Sequence, residues 1–550
     1  MSTFSPAIVL LGQHGLATAR QLQALYPQAR VLGLAARVQG ADEAFEHFGD
    51  TLRQLYRANT PIIALCAAGI VIRTLAAELL EKTAEPPVLA LAEDGSAVVP
   101  LLGGLSGVNR MAREVGAHLQ VAAAITTSGE LRFGTCLLNP PEGYVLADVE
   151  QGKRFVSDLL GGEALRLDGA APWLEAAGLP QAPGARLAVK VSAQAQGSAD
   201  ELLIHPRAVL VAVHAAGADL AQRIDQALAA AGYAKAALGC LLAPPAMMAD
   251  SALHALAAQL GVPLRFNPVL PAATAPGLGL VLHGQPLQAD AHGQRRGRLA
   301  VVGLGPGSVQ LMAPAVRSEL ARAEDVLGYE TYVRMAGPFR DDQVLHCTDN
   351  REELQRARHA FELAAQGRSV VVVSSGDPGV FAMASAVLEA LDASQNEAWQ
   401  RVDLQILPGI SASLATAAWA GAPLGHDFCL ISLSDNLKPW ATIEQRLHLA
   451  GEADMAMAFY NPISRSRPWQ LGRALEILRE HRGPQTPVVL GRDVARPGQA
   501  LRVVTLAELV PEMVDMRTMV IVGSSTTRCI PRPEGAPWVY TPRWYPAAPQ

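Results

Sequence analysis

The sequence predicts an α/β protein of several domains, and three observations carry that prediction. The chain has 550 residues, which at roughly 100–200 residues per domain makes three or four folding units. Short apolar runs alternate with helix-length amphipathic stretches, the pattern of strands joined by helices into parallel sheets. Half the residues are hydrophobic and 17% are charged, enough to bury large cores and too apolar for disorder.

The first domain is expected over residues 1–135. Strands are predicted at Ala7–Leu11, Ala29–Gly33, Pro61–Cys66, Pro87–Ala92 and Gln120–Ile125, with helices such as Leu16–Leu25 and Ile72–Leu80 between them. The opening MSTFSPAIVLLGQHGLATA lacks a basic leader, and its apolar run Ala7–Leu11 is too short for a signal peptide or a membrane span. It reads as a buried strand, and no uncharged apolar run reaches 18 residues elsewhere. A soluble, cytoplasmic protein without membrane contact is expected.

Residues 136–205, rich in Gly, Pro, Ala and Gln, read as a linker or a small middle subdomain. A second α/β unit is expected over 206–285, with strands Ala208–Val213 and Ala236–Leu242 and helices Leu220–Ala231 and Ser251–Leu260. The stretch from 271 turns irregular, and residues 286–298 read as a linker. There Arg295, Arg296 and Arg298 are expected to lie in solvent, the minority reading being a patch for an acidic substrate.

From Leu299 a new α/β pattern runs through 299–550. Its predicted strands are Leu299–Gly303, Ser369–Ser374, Asp403–Leu407, Phe428–Ser432, Met455–Tyr460, Pro487–Gly491, Leu501–Thr505 and Met519–Gly523. Helices are predicted at Arg351–Ala365, Val380–Leu391 and Pro468–Glu480. The last residues carry too much proline for a helix or a central strand and are expected as an extended tail on the surface.

Charge and cysteine usage exclude several functions. The formal net charge is −6, so there is no basic surplus to neutralise phosphates, and nucleic-acid binding is not expected. The six cysteines are scattered without a C-x-x-C pair and read as buried thiols rather than disulfides or metal ligands. The thirteen histidines show no metal-binding spacing, and no metal is expected.

Chemistry is expected at the strand ends. Val370–Ser385 reads VVVVSSGDPGVFAMAS: a buried strand that runs into a sharp polar turn, then a helix. In open parallel sheets ligands bind at the carboxyl ends of strands. Gly376 and Gly379 permit close approach there, and Asp377 supplies a negative acceptor. A second such turn is GLGPGS, with Gly303, Gly305, Pro306 and Gly307. It departs from the dinucleotide fingerprint G-x-G-x-x-G, so a nicotinamide site is a minor reading. A third, LPGISASLATAAWAG, ends a strand at Pro408-Gly409 and offers Ser411 to cap the next helix. Two further strands end at Tyr460-Asn461-Pro462 and Gly491-Arg492-Asp493. No phosphate-cradling lysine follows any of these turns, and no Gly-x-Ser-x-Gly elbow occurs. Each turn alone is ordinary; together they suit a neutral or cationic ligand with ribose-like hydroxyls.

In that order GLGPGS, SSGDPGVF, LPGISA, YNP and GSSTTR resemble the tetrapyrrole (class III) S-adenosylmethionine methyltransferases, over Leu299–Arg528. LGYETYV, FYNPISRSRPWQL and the late TPRWY are similar to the precorrin-3B C(17)-methyltransferases among them. The resemblance implies a two-domain methyltransferase, commonly a homodimer, with S-adenosylmethionine as cofactor and a tetrapyrrole substrate. It assigns cofactor contacts to Pro306, Ser375, Gly376, Asp377, Ser411, Ala412, Tyr460, Asn461, Gly491 and Arg492. Gly303, Gly305 and Gly307 would shape the floor under the tetrapyrrole. Asp377 is the one candidate for a general base, against a role in holding the cofactor.

The first half resembles cobalt-precorrin-5A hydrolases through CAAGIVIR (Cys66–Arg73), AEDGSAVVPLLGGLSGVNRMA (Ala92–Ala112), ITTSGE (Ile125–Glu130), HPRAVLVAV (His205–Val213) and LGVPLRF (Leu260–Phe266). It departs at polar positions. Gly103-Gly104-Leu105 replaces that family's Ser-Gly-His. Ser128-Gly129-Glu130 follows Thr126-Thr127 in place of Ala-Thr-Asp. Residues 212–217 replace Gly-Cys-Arg-x-Gly. The implied alternatives are an active hydrolase, which makes the chain bifunctional, and a domain that only binds the corrinoid.

Overall fold

The computed structural model describes residues 4–80, 85–349 and 352–544. Arg351 and Tyr545, which fall in an expected helix and in the TPRWY motif, lie outside the described residues. The chain forms two compact units, 1–296 and 297–550.

The first unit contains three sheets. Strands β1 (Ala7–Leu10), β2 (Arg30–Leu34), β3 (Glu43–Phe45), β4 (Ile62–Leu65), β5 (Val88–Leu91) and β6 (Val98–Leu102) form one in the order β3-β2-β1-β4-β5-β6. Only the edge strand β6 is antiparallel. Alternation divides the core between the two faces. Ile8, Leu10, Ile63 and Leu65 pack on one side, and Ala7, Val9, Ile62 and Ala64 on the other, as period-2 geometry requires when helices cover both faces.

The expected strand Gln120–Ile125 does not form. Gln120 turns left-handed (φ 59°) after the helix Val108–Leu119, and Ala123 makes a single isolated bridge to Val98. The alanines offer little β-branched surface to hold an edge, and β6, not expected, lies there instead.

Residues 136–205 are a folded subdomain. β7 (Tyr144–Leu146), β8 (Leu165–Asp168), β9 (Leu187–Val191) and β10 (Glu201–Pro206) order as β7-β10-β9-β8 over a core that includes Phe155, Leu159, Val189 and Ile204. The Asp148 side chain caps its helix Val149–Leu160. The third sheet, β11 (Val209–Val213), β12 (Leu238–Ala243), β13 (Leu264–Phe266) and β14 (Leu278–Leu282), orders as β13-β12-β11-β14. β14 runs antiparallel to β11, so the stretch expected to be irregular from 271 contributes a strand.

The second unit opens with β15 (Arg298–Gly303), β16 (Asp325–Tyr329), β17 (Val344–Thr348), β18 (Ser369–Ser374) and β19 (Asp403–Leu407), an all-parallel sheet ordered β17-β16-β18-β15-β19. Arg298 is not a linker residue. It starts β15 and pairs with Glu319 at 2.7 Å and Asp403 at 2.6 Å. In β18, Val370 and Val372 face one core while Val371 and Val373 face the other. Each fully buried valine contributes roughly 1.5–3 kcal/mol. β16 escaped the sequence reading because it contains Asp325, buried by an ion pair with Arg368 and a 2.9 Å contact with His346 Nε2.

A short strand β20 (Gly421–Ala422) follows. β21 (Phe428–Ser432), β22 (Ala456–Tyr460), β23 (Pro487–Arg492), β24 (Ala500–Thr505) and β25 (Thr518–Val522) then make a mixed sheet ordered β21-β22-β25-β23-β24. β26 (Arg528–Ile530) and β27 (Trp538–Tyr540) join β20 in a three-stranded sheet. The expected surface tail is thus pinned: Val539 is fully buried, and the Thr541 hydroxyl donates to the Pro423 carbonyl at 2.6 Å.

Among the described residues no helix is long and apolar enough to cross a membrane. The cysteines are all unpaired, but Cys347 and Cys529 are exposed rather than buried. The packing of helices Trp440–Glu452 and Gln470–His481 brings two histidines together, which their spacing did not suggest. His448 Nδ1 lies 3.1 Å from His481 Nε2, with Glu480 beside them.

Candidate active site

Three loops leave the carboxyl ends of β15, β18 and β19 and lock together backbone to backbone. Gly305 and Gly376 exchange hydrogen bonds: the Gly305 amide donates to the Gly376 carbonyl at 3.1 Å, and the reverse bond is 2.8 Å. A Cβ on Gly303 would lie 2.5 Å from the Gly376 carbonyl oxygen, and one on Gly409 only 2.2 Å from it. No other residue fits at these two positions. Gly303 therefore serves the close packing of these loops. Gly305 (φ 74°) and Gly376 (φ 68°) hold left-handed turns that glycine adopts without strain.

Asp377 ties two of the loops. One carboxylate oxygen accepts the Gly379 amide at 2.8 Å, and the other accepts the Gly409 amide at 3.1 Å. Behind the loop, the buried Arg356 guanidinium donates to Thr348 Oγ1 at 2.7 Å, to the Asp349 carbonyl at 2.7 Å and toward Met383 Sδ at 3.1 Å. It thereby braces the first residue of the helix Met383–Asp392. Phe381 stands in this loop at φ 52° with its ring half exposed, 5.1 Å from the Tyr460 ring. A bulky residue held left-handed beside a site is an unusual use of backbone strain.

The helix Ala412–Ala420 begins under the same loops. Ser411 caps it, accepting the Leu414 amide at 3.4 Å. From Ser411 Oγ a chain of hydroxyls runs to Ser413 Oγ at 3.0 Å and on to the Tyr460 hydroxyl at 2.9 Å. The second sheet is thereby joined to the loops of the first. A Cβ on Gly376 would stand 3.5 Å from the Ser411 Cα, an ordinary contact with the helix start, so the glycine serves the left-handed turn there and not the space. Ala412 lines the first turn of that helix.

The remaining expected residues are engaged locally. Asn461 (φ 50°) donates to Ser432 Oγ at 3.1 Å. Gly491 lies against Thr416 of the same helix, where a Cβ would meet Thr416 Cγ2 at 2.5 Å. Arg492 pairs with Asp515 at 2.8 Å and Asp493 at 3.1 Å. The structure thus gathers Pro306, Ser375, Gly376, Asp377, Ser411, Ala412 and Tyr460 around one set of loops. Asn461 and Arg492 are tied back to neighbours of their own.

One residue at the site had no signal in the sequence. Arg496, in the loop after β23, donates from Nε to the Pro306 carbonyl at 2.7 Å and from Nη2 to Ser375 Oγ at 3.1 Å. The second sheet's loop so crosses to two loops of the first, a contact between residues 190 and 121 positions apart. Its only sequence trace is Gly307, where a Cβ would lie 2.5 Å from Arg496 Cγ.

In the first unit the motifs at 92–112 and 125–130 also meet. Asn109 Nδ2 donates to Thr127 Oγ1 at 2.9 Å and to Glu130 Oε1 at 2.7 Å, and Arg113 pairs with the other Glu130 oxygen. Glu130 is only 5% exposed. The Cys66 thiol, after β4, is pushed up to about 11 by burial and by the Glu93 carboxylate, which favours its protonated form.

The comparisons with known proteins follow this division. Residues 298–510 match the model of the tetrapyrrole (corrin/porphyrin) methylases, and residues 50–130 match that of the cobalamin synthesis G N-terminal region. A precorrin-3B C(17)-methyltransferase of Sinorhizobium sp is 51% identical over 254 residues, 46% of this chain and 99% of that protein. The cobalamin biosynthesis protein CobIJ of Mycobacterium tuberculosis (strain ATCC 25618 / H37Rv) is 50% identical over 264 residues, 46% of this chain and 51% of that protein. A crystal structure of the methyltransferase CobJ is 56% identical over 45% of this chain and 100% of that one, with a TM-score of 0.42. The chain belongs to the precorrin-3B C(17)-methyltransferase family, and the match to the cobalamin synthesis G N-terminal model lies ahead of the methyltransferase in sequence.

Proposed function

We propose that the chain transfers the methyl group of S-adenosylmethionine to C-17 of precorrin-3B, with contraction of the macrocycle to precorrin-4 and release of S-adenosylhomocysteine, in cobalamin biosynthesis. The observation that carries this reading is the 51% identity running over 99% of a protein of that name. The site supports it. Its loops are joined through backbone, and the Asp377 carboxylate is engaged by two of their amides. That fits a ligand presented to backbone and hydroxyls.

Pro306, Ser375, Gly376, Asp377, Ser411, Ala412, Tyr460, Asn461, Gly491 and Arg492 would hold the cofactor, and Gly303, Gly305 and Gly307 would shape the tetrapyrrole floor. S-adenosylmethionine supplies, when bound, a methyl already activated on sulfonium. The chain's task is then alignment, and orientation of this kind can lower a barrier by about 7–11 kcal/mol. Locked glycine loops suit it because they leave little to reorganise. Asp377 acts here by fixing two loops: both its oxygens already accept amides, which leaves it poorly placed as a base.

For the first half we favour a hydrolase-like domain that binds the corrinoid without hydrolysing it, because Glu130 is shut in by its own neighbours. An active hydrolase is the second reading, carried by the match over residues 50–130. The domain division 1–135, 136–205 and 206–285, a linker from 286 that ends before Arg298, and a methyltransferase from there to 550 belong to the same proposal, as do a homodimer through the second half and a cytoplasmic location.

The test is methyl-labelled S-adenosylmethionine with precorrin-3B, on the full chain and on a fragment starting at Arg295. Label transfer and the precorrin-4 mass are expected from both. If neither transfers label and S-adenosylhomocysteine does not bind, the reading is wrong.

A further inference from the structure

Arg496 is a cation without a counter-charge at the heart of the site. A guanidinium carries five N–H donors. Two are spent on neutral acceptors, the Pro306 carbonyl and the Ser375 hydroxyl. Among the described residues no carboxylate pairs with it. Its neighbour Arg492 shows the contrast, with Asp493 and Asp515 both on its guanidinium. Arg496 is also partly buried, where an unpaired charge is costly unless a ligand completes it.

Its pose is built rather than incidental. Gly307 (φ 141°) has no side chain because Arg496 occupies that space, Cγ 2.5 Å and Nε 2.7 Å from where a Cβ would be. The Tyr332 phenol lies near enough to feel the guanidinium, which partly opposes the upward push of burial. The planar fork is thus held by two loops with donors to spare, the arrangement that takes a carboxylate with directed, charge-assisted hydrogen bonds.

We propose that Arg496 is a carboxylate subsite, holding one carboxylate of a bound tetrapyrrole and so fixing which edge of the macrocycle meets the methyl donor. This rests on the methyltransferase reading above. The methionyl end of the cofactor offers the same chemistry, so the two sources have to be told apart.

The experiment uses the full chain and the variants Arg496→Gln and Arg496→Lys. Binding is followed by fluorescence with an octacarboxylate porphyrin and with its octamethyl ester, and by calorimetry with S-adenosylhomocysteine and with 5′-methylthioadenosine, which lacks the carboxylate. Arg496→Gln is expected to weaken the acid porphyrin about tenfold to a hundredfold, the worth of hydrogen bonds to a charged group. The ester and S-adenosylhomocysteine should change less than about twofold, within the scatter of ordinary surface substitutions. Arg496→Lys should restore part of the loss, since it keeps the charge but not the fork.

A loss confined to S-adenosylhomocysteine and absent for 5′-methylthioadenosine keeps the subsite but assigns it to the cofactor's carboxylate. Equal losses for acid and ester, or none, overturn the proposal and make Arg496 a loop brace; a thermal melt of each variant identifies simple unfolding, against which Arg496→Lys remains as the folded control. If the wild type transfers no label to precorrin-3B while Arg496→Gln still weakens the acid porphyrin and spares the ester, the methyltransferase reading has failed and the subsite stands.

Discussion

Glu130 in the first unit and Asp377 in the second are both carboxylates beside glycine-containing turns, and their surroundings are opposite. Glu130 is buried and answered by two side chains, Asn109 and Arg113. Asp377 is half-buried and, among the described residues, answered by backbone amides at Gly379 and Gly409. The first arrangement is closed, for it has spent its polar capacity on itself. The second uses the carboxylate to hold loops in place and leaves hydroxyls and a guanidinium around it. Similar residues at similar turns therefore close a side-chain network in one unit and tie backbone loops together in the other.

The largest expected effect is at Asp377. Asp377→Ala removes two hydrogen bonds to a charged acceptor, worth roughly 1.5–3 kcal/mol each, and frees the Gly409 loop. Misplacement of about 1 Å can cost 10²-fold in rate, so kcat/KM for label transfer should fall by about that factor or more. Asp377→Asn, which keeps one acceptor, should fall less. The pH–rate profile separates the roles. Its shape should persist in Asp377→Asn, whereas a general base would take one limb of the profile with it.

Next is Arg113→Ala, which strands a buried carboxylate in the first unit. Removing one partner of such a pair typically costs about 3–5 kcal/mol, and the exposed position of Arg113 puts this case at the low end. Calorimetry of the full chain should show the first unit melting earlier. Label transfer should not change. A parallel loss of transfer would mean that the closed network of the first unit serves the methyltransferase directly.

Smaller again is Ser413→Ala, which cuts the hydroxyl chain from Ser411 to Tyr460. A neutral hydrogen bond is worth about 1 kcal/mol net, or about fivefold in S-adenosylhomocysteine affinity by titration. An unchanged affinity would place the chain outside the cofactor site.

How far the sequence disclosed all this follows from the range of the forces involved. β18 was bounded correctly because four valines and a Gly-Asp-Pro-Gly turn are local signals, and helices Leu16–Leu25 and Ser251–Leu260 carry their own periodicity. β16 was hidden because Asp325 looks like a surface residue until Arg368, 43 positions away, neutralises it. β14 and the pinned tail depend likewise on partners far along the chain. At the site the turns were visible, since Gly, Pro and Ser announce themselves. Arg496 was not, because nothing near residue 496 says that its side chain will reach Pro306. Arg492 drew attention by standing at a strand end, yet its charge is already taken by Asp493 and Asp515.

The smallest effect concerns His205, on β10 of the middle subdomain, whose counterpart in the second unit would be any buried base of the active site. It is 4% exposed, and its Nδ1 lies 2.8 Å from the Ser192 carbonyl, which fixes the neutral tautomer with that N–H donating. Burial holds its affinity for a proton below the ordinary value of 6.5, with the Ser192 bond opposing. The unfolded chain therefore binds the proton more readily than the folded one. Stability is fully present above about pH 6.5 and is lost as pH falls from there toward the depressed folded value, with a slope of at most about 1.4 kcal/mol per pH unit. Thermal melts of the full chain between pH 7.5 and 5 should show the first unit's transition moving down in that window. His205→Asn, whose amide can replace the Nδ1 donor but cannot titrate, should flatten the slope while leaving the second unit's transition unmoved. An unchanged slope would show that the acid sensitivity of the first unit lies in its carboxylates, with Glu130 the first to examine.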